Sequence, residues 1–208
     1  MIAMAEITAA QVKHLREMTG AGMMDSKRAL QESDGDVDRA AQLLREKGQA
    51  SVVKRAGRTA NQGRVQSYIH FNGTVGALVE VNCETDFVAN TDDFKQLAKD
   101  IALHVASPSA PRWLSREDVP QDVLEGERHI FEVQAKEMGK PENVIPKIVE
   151  GKLEAFYKDH VLLDQPFVKD DSTTIQQLLD GIGAKVGEKV VVRRFARFKL
   201  GEDEGQAG

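Results

Sequence analysis

The chain of 208 residues has one cysteine, Cys83, so it can form no internal disulfide. A reducing compartment fits that, and a cytoplasmic protein is expected. No apolar run approaches the roughly 20 residues of a membrane span, so no membrane contact is expected. The opening "MIAMAEIT" lacks the long apolar core of a signal peptide. Met4 is read as an alternative start, because regular patterning begins only near Glu6. Basic charge is not in excess either. Lys and Arg number 28 against 33 Asp and Glu, a net charge of -5. General nucleic-acid binders are usually basic, so no direct nucleic-acid contact is expected.

Catalytic and cofactor signatures are also missing. His14, His70, His104, His129 and His160 are scattered, with no pair at i, i+4. No nucleophile motif occurs. "TGAGMMDSK" lacks phosphate-loop spacing and lies between helical patterns rather than after a strand. "GIGAKVG" places its third glycine one residue late for a dinucleotide fingerprint and precedes a strand. "NGTVG" is hairpin chemistry. No catalytic residue, cofactor or metal is assigned, and the chain is not read as an enzyme. The best candidate against this is the acidic cluster Glu84, Asp86, Asp92 and Asp93, whose carboxylates have the chemistry to hold Mg2+. Helix capping already accounts for Asp92 and Asp93.

What is present is patterned structure. "ITAAQVKHLREM" carries a capping pair, Thr8 and Gln11, with Ile7 and Val12 at the staple positions. Val12, Leu15 and Met18 then share a face. "TGAG" ends this helix, with Gly20 and Gly22 free to take left-handed angles. A second helix is expected in "MDSKRALQES", capped by Asp25. After the "SDGD" turn, a third presents Val37, Ala40, Ala41 and Leu44 inward and stops at Gly48. Three helices in about 45 residues make a marginal core, so this UBA-like module suits docking better than catalysis. "SVVKRAGRTANQGR" has no periodicity and reads as a basic linker.

The period then changes. "RVQSYIHF" and "TVGALVEVN" read as two strands about an Asn72–Gly73 turn. Thr91 is a natural cap for a helix with Phe94, Leu97, Ile101 and Val105 buried. Two Glu/Lys-rich helices follow, in "PQDVLEGERHIFEVQAKEMG" and "PENVIPKIVEGKLEAFYKDHVLL". A short helix, "STTIQQLLDGIGAKVG", and a closing strand, "EKVVVRRFARFKL", complete the pattern. The expected fold is α+β: a three-helix docking module over 1–50, a linker over 51–64, and a core over 65–200. The core is a small antiparallel sheet packed with helices. Residues 201–208 are expected to be disordered. On the closing strand, the side with Val190, Val192, Ala196, Phe198 and Leu200 suits packing on helices. The other side, with Arg193, Phe195 and Arg197, mixes ring and charge as interfaces do.

One stretch resists a structural explanation. "CETDFVANTDD" sets a bulky ring, Phe87, among four carboxylates. "LREMTGAGMMDSKRAL" and "EVNCETDFVAN" resemble the two signature segments of bacterial translation elongation factor Ts, in the right order and separation. The resemblance covers nearly the whole chain. It is to a short form, with one core half and no obvious coiled-coil insertion. It implies a guanine nucleotide exchange factor whose partner is elongation factor Tu in its GDP-bound state. It further implies that Thr85, Asp86, Phe87 and Val88 enter the partner's GTPase domain near its Mg2+ site. Phe87 would wedge between two helices there, and Asp86 would help reorganise its neighbours. The N-terminal module would dock through exposed Leu15, Arg16, Met23 and Met24, with one of the two methionines expected to fill the core instead. Short forms compensate by pairing, so a non-covalent homodimer through Arg193, Phe195 and Arg197 is expected. Two other readings remain: a metal-dependent hydrolase using the Glu84–Asp93 carboxylates, and a passive adaptor.

Overall fold

The structure, a computed structural model, describes residues 7–19 and 21–202. The elements in chain order are α1 (Ala9–Thr19), α2 (Met23–Glu32), α3 (Val37–Ala56), β1 (Gln62–Ile69), β2 (Val75–Cys83) and α4 (Asp86–Ala89). Then come α5 (Asp92–Val105), α6 (Gln121–Glu137), α7 (Ile145–His160), β3 (Pro166–Phe167), β4 (Asp170–Thr174), α8 (Ile175–Val186) and β5 (Val191–Lys199). The fold is α+β, with a three-stranded sheet ordered β1-β2-β5 and a two-stranded hairpin, β3-β4. The chain divides into two compact units. The first takes the described residues through Gly63, with Asn82–Phe94 and Leu178–Val191. The second takes Arg64–Val81, Lys95–Gln177 and the described residues from Val192.

The first unit begins with the three helices. The capping pair forms as expected: Thr8 N–H donates to Gln11 Oε1 at 2.9 Å, and Gln11 N–H to Thr8 Oγ1 at 3.2 Å. Val12, Leu15, Ala29, Leu30 and Ala40 form the core, with Ile7, Val37, Ala41 and Leu44 packed on it. Met18 faces solvent instead of joining it. Gly20 lies outside the described residues. Gly22 is the N-cap of α2, in extended and not left-handed backbone, so Asp25 sits inside the first turn of α2 and is not the cap. Asp34 and Gly35 make the turn with positive φ, and Asp36 caps α3 by accepting from Arg39 N–H.

The third helix does not stop at Gly48. It runs on to Ala56, so residues 51–56 of the stretch expected to be irregular are helical, and β1 takes its last residues from Gln62. The extension is held by tertiary contacts that outweigh a glycine's helix penalty of about 1 kcal/mol. Within the extension Arg55 is buried, and its Nη1 donates one turn back to Ser51 Oγ. Lys189 Nζ donates to the carbonyls of Ala56 and Arg58, satisfying the last turn.

In the second unit, β2 buries Ala77, Val79 and Val81 and leaves Leu78 exposed. Leu200 N–H donates to Thr74 O, and Arg194 pairs with Glu80 at 2.7 Å. Residue numbers thus fall along β2 as they rise along β5, the order of an antiparallel pair, with even positions facing even. From Arg194 onward, Phe195 and Arg197 therefore share the face of the buried Val79 and Ala77. Phe198 and Leu200 share the open face with Leu78. The start of the closing strand is as expected, with Val190 and Val192 buried and Arg193 exposed, but its far half is reversed: Arg197 is buried and paired with Glu202, while Phe198 and Leu200 are exposed. The expected stripe on α5 holds, with Phe94, Leu97, Ile101 and Val105 all buried.

The hairpin of α6 and α7 closes over Ala135, Ile145, Val149 and Leu153, with Phe131, Ile148 and Tyr157 against them. Arg116 braces this region. It bonds Asp164 and Glu154, and lies 4.5 Å over the Tyr157 ring. The β3-β4 hairpin has no counterpart in the sequence pattern, and β4 takes Ser172, Thr173 and Thr174, which read as the start of the following helix; α8 begins only at Ile175. Asp170 Oδ1 accepts from Ser172 N–H and Oγ at its turn.

Candidate functional site

The β2 strand ends in Cys83, whose side chain is fully buried and donates to Thr85 O at 3.1 Å. Burial, with the nearby Glu188 carboxylate, pushes the thiol up to about 11. It is protonated at neutral pH and a poor nucleophile.

Thr85 then caps the one-turn helix α4: its Oγ1 accepts from Val88 N–H. Asn90 and Thr91 close the far end through the Asp86 and Val88 carbonyls. Thr91 Oγ1 also accepts from Phe94 N–H, as the cap expected for α5. Successive helical residues turn by about 100°, so residues two apart point to nearly opposite sides. Ala89 is buried, and Phe87 accordingly faces outward, 82 % exposed. Asp86 is exposed beside it, and Thr85 and Val88 are half-buried.

A second loop, after α8, holds this turn. Glu188 Oε2 accepts from Glu84 N–H at 3.1 Å and Thr85 N–H at 3.0 Å, and Oε1 accepts from Thr85 Oγ1 at 2.6 Å. Glu84 Oε1 accepts in return from Lys189 N–H at 2.6 Å and from Arg58 Nη1 at 3.3 Å. The Lys189 amide, with help from Arg58, holds the Glu84 carboxyl below its usual range. Glycine is required here. Gly187 has φ +75°, and a Cβ at Gly183 would lie 2.9 Å from the Glu188 carbonyl oxygen.

The acidic cluster is therefore spread among separate tasks. Glu84 serves the loop clamp, Asp86 sits in the first turn of α4, and Asp93 pairs with Lys185 at 2.5 Å. Among the described residues, no group of three or more His, Cys, Asp or Glu is placed to hold a metal ion. No described helix is long and apolar enough to cross a membrane.

The N-terminal residues divide. Arg16 is exposed. Met23 and Met24 are both exposed, at 60 % and 68 %, so neither fills the core. They open α2 one turn ahead of its buried stripe of Ser26, Ala29 and Leu30. Leu15, expected at the surface, is fully buried, because it follows Val12 by three residues on the inward face of α1. Met23, Met24 and the Thr85–Val88 segment fall in one compact unit; Arg193, Phe195 and Arg197 fall in the other. Of those three, Arg193 is exposed, Phe195 half-buried and Arg197 buried. Sequence patterning missed Glu188 and Lys189, which lie more than 100 residues from their partners and carry no local signal.

Comparison with known proteins agrees with the motifs. A family model described as "Elongation factor TS" matches residues 3–202. Elongation factor Ts of Thermoanaerobacter sp. (strain X514) is 55 % identical over 196 residues, covering 94 % of this chain and 96 % of that protein. That of Desulforamulus reducens is 55 % identical over 199 residues, covering 96 % and 91 %. That of Fervidobacterium nodosum is 53 % identical over 197 residues, covering 95 % and 100 %. Matched along nearly its whole length, the chain belongs to the elongation factor Ts family.

Proposed function

We propose that the chain is a guanine nucleotide exchange factor of translation elongation. It binds elongation factor Tu in its GDP-bound state and speeds GDP release by disturbing the partner's Mg2+ and phosphate-loop site. Family membership supports the exchange role and the partner. The observation that carries the mechanism is the exposed Phe87 ring on a turn capped at both ends.

A GTPase holds GDP through its phosphate loop and Mg2+. Octahedral Mg2+ tolerates little displacement of its ligands. Burying a phenylalanine in a partner pocket is worth about 2–3 kcal/mol, free energy available to displace them. Factor and GDP then oppose one another's binding by linkage. Thr85 and Val88 set the turn, and Asp86 brings a carboxylate beside the wedge. Arg16, Met23 and Met24 form the docking contact, the methionines supplying adaptable apolar surface. No covalent bond is made or broken.

The chain also pairs with a second copy in this proposal. The open face of the sheet bears Ile69, Leu78, Phe198 and Leu200, all exposed. An apolar sheet face of this kind is covered by its own likeness in a symmetric dimer, the commonest closed assembly. Contact is made through this face, since Phe195 and Arg197 turn toward the other side. GDP release from elongation factor Tu, followed with a fluorescent nucleotide, tests the exchange reading. Release unchanged by the protein at saturation would refute it.

A further inference from the structure

We propose that Glu188 is a positioning residue for nucleotide exchange: its carboxylate sets the orientation in which α4 presents Phe87. The inference rests on the exchange reading above. A helix of four residues cannot hold itself, since nucleation fixes several dihedral angles for its first hydrogen bond. The orientation of α4 (Asp86–Ala89) must come from outside it. Glu188 supplies three hydrogen bonds, all aimed at the two residues that precede the helix.

The division of labour between its oxygens is specific. Oε2 takes the amides of Glu84 and Thr85, fixing where the backbone leaves β2. Oε1 takes the Thr85 hydroxyl hydrogen at 2.6 Å. That fixes the hydroxyl rotor, leaving its lone pairs for the Val88 amide at 3.4 Å. The capping of α4 is thus relayed from Glu188 through Thr85. The Glu84 carboxylate returns the contact at the Lys189 amide, so each loop is anchored by the other's acid. Charge-assisted bonds of this kind are about twice as strong as neutral ones. Three converging ahead of an exposed ring fix its direction. Held this way, Phe87 meets the partner without first having its turn ordered, which lowers the entropic cost of binding.

The test is a double-mutant cycle on GDP release from elongation factor Tu, using the full chain as wild type, Glu188→Ala, Phe87→Ala and the pair. Glu188→Gln serves as the conservative variant, keeping an oxygen for the two amides but no acceptor for the Thr85 hydroxyl. Amide hydrogen exchange at Glu84, Thr85 and Val88 is read on each free protein, with the Ala40 amide in α3 as the fold control. Glu188→Ala is expected to deprotect the first three amides, spare Ala40, and slow catalysed release about tenfold. Glu188→Gln should fall between it and wild type. In the Phe87→Ala background, Glu188→Ala should add less than about twofold, because the two act as one unit. Unchanged protection at Thr85 and Val88, or losses that multiply in the double variant, overturns the positioning role. Should Glu188→Ala fail to fold, the same cycle with Glu188→Gln decides. A wild-type protein that leaves GDP release unchanged would instead remove the exchange reading beneath it.

Discussion

His104 and Gln165, 61 residues apart, meet at 2.9 Å, Nε2 to Oε1, with both side chains almost wholly buried. Val168 N–H donates to His104 Nδ1 at 3.2 Å. The imidazole proton therefore sits on Nε2 and is donated to Gln165. Gln165 Nε2 in turn donates to the Ser109 and Asp159 carbonyls. Each polar group of this buried network has a partner, and the network requires a neutral ring.

That requirement makes stability depend on pH. Burial lowers the pKa of His104 below its ordinary value. The unfolded chain therefore binds more protons in the interval between the two values. The contribution of the neutral ring is full above pH ~6.5 and is lost as pH falls below that toward the folded-state value. Melting temperature should decline with acid across this window, and less steeply in His104→Leu. At neutral pH that variant should be less stable by about 2 kcal/mol, since Val168 N–H and Gln165 Oε1 lose their partner. Equal acid slopes in the two proteins would count against a neutral buried His104.

The two methionines that open α2 should affect docking without affecting the fold. Both are exposed, opening α2 a turn ahead of its buried residues. Met23→Ala and Met24→Ala together should change unfolding free energy by less than about 0.5 kcal/mol. The concentration of factor needed for half-maximal exchange should rise several-fold. Calorimetry and a titration of exchange rate check the two halves. A large loss of stability would place the pair in the core after all.

Self-association should run through the open sheet face. Light scattering at micromolar concentration is expected to give twice the chain mass, unchanged by reductant, because the lone thiol of Cys83 is buried. Phe198→Asp should shift the protein toward monomer, since it sets a charge in the middle of the apolar contact. Phe195→Asp, on the core-facing side, should lower stability before it alters mass. The reverse pattern would restore the face containing Arg193, Phe195 and Arg197 as the contact.

Much of this was legible because periodicity is local. The capping pair of Thr8 and Gln11, the stripe on α5 and the hairpin about Asn72–Gly73 each follow from residues a few positions apart. The signature segments gave the family for the same reason. What escaped depended on distant partners. Gly48 looks like a helix stop until Lys189 is seen holding the end of the extended α3. The faces of β5 could not be told by composition alone; the register set by Thr74 and Glu80 decides them. Leu15 reads as a contact residue because it lies in a signature segment, although its spacing from Val12 marks it as core. Glu188 was invisible, being an ordinary acid until the fold brings it to Thr85.

Phe87→Ala tests the exchange mechanism most directly. The ring makes no core contribution, so the melting temperature should stay within about 1 °C of wild type. Truncating an interface anchor costs roughly 2 kcal/mol or more, so stopped-flow release of fluorescent GDP from elongation factor Tu should slow by about 30-fold or more at subsaturating factor. A variant that melts as wild type and still releases GDP at the wild-type rate would contradict the wedge, whatever the family.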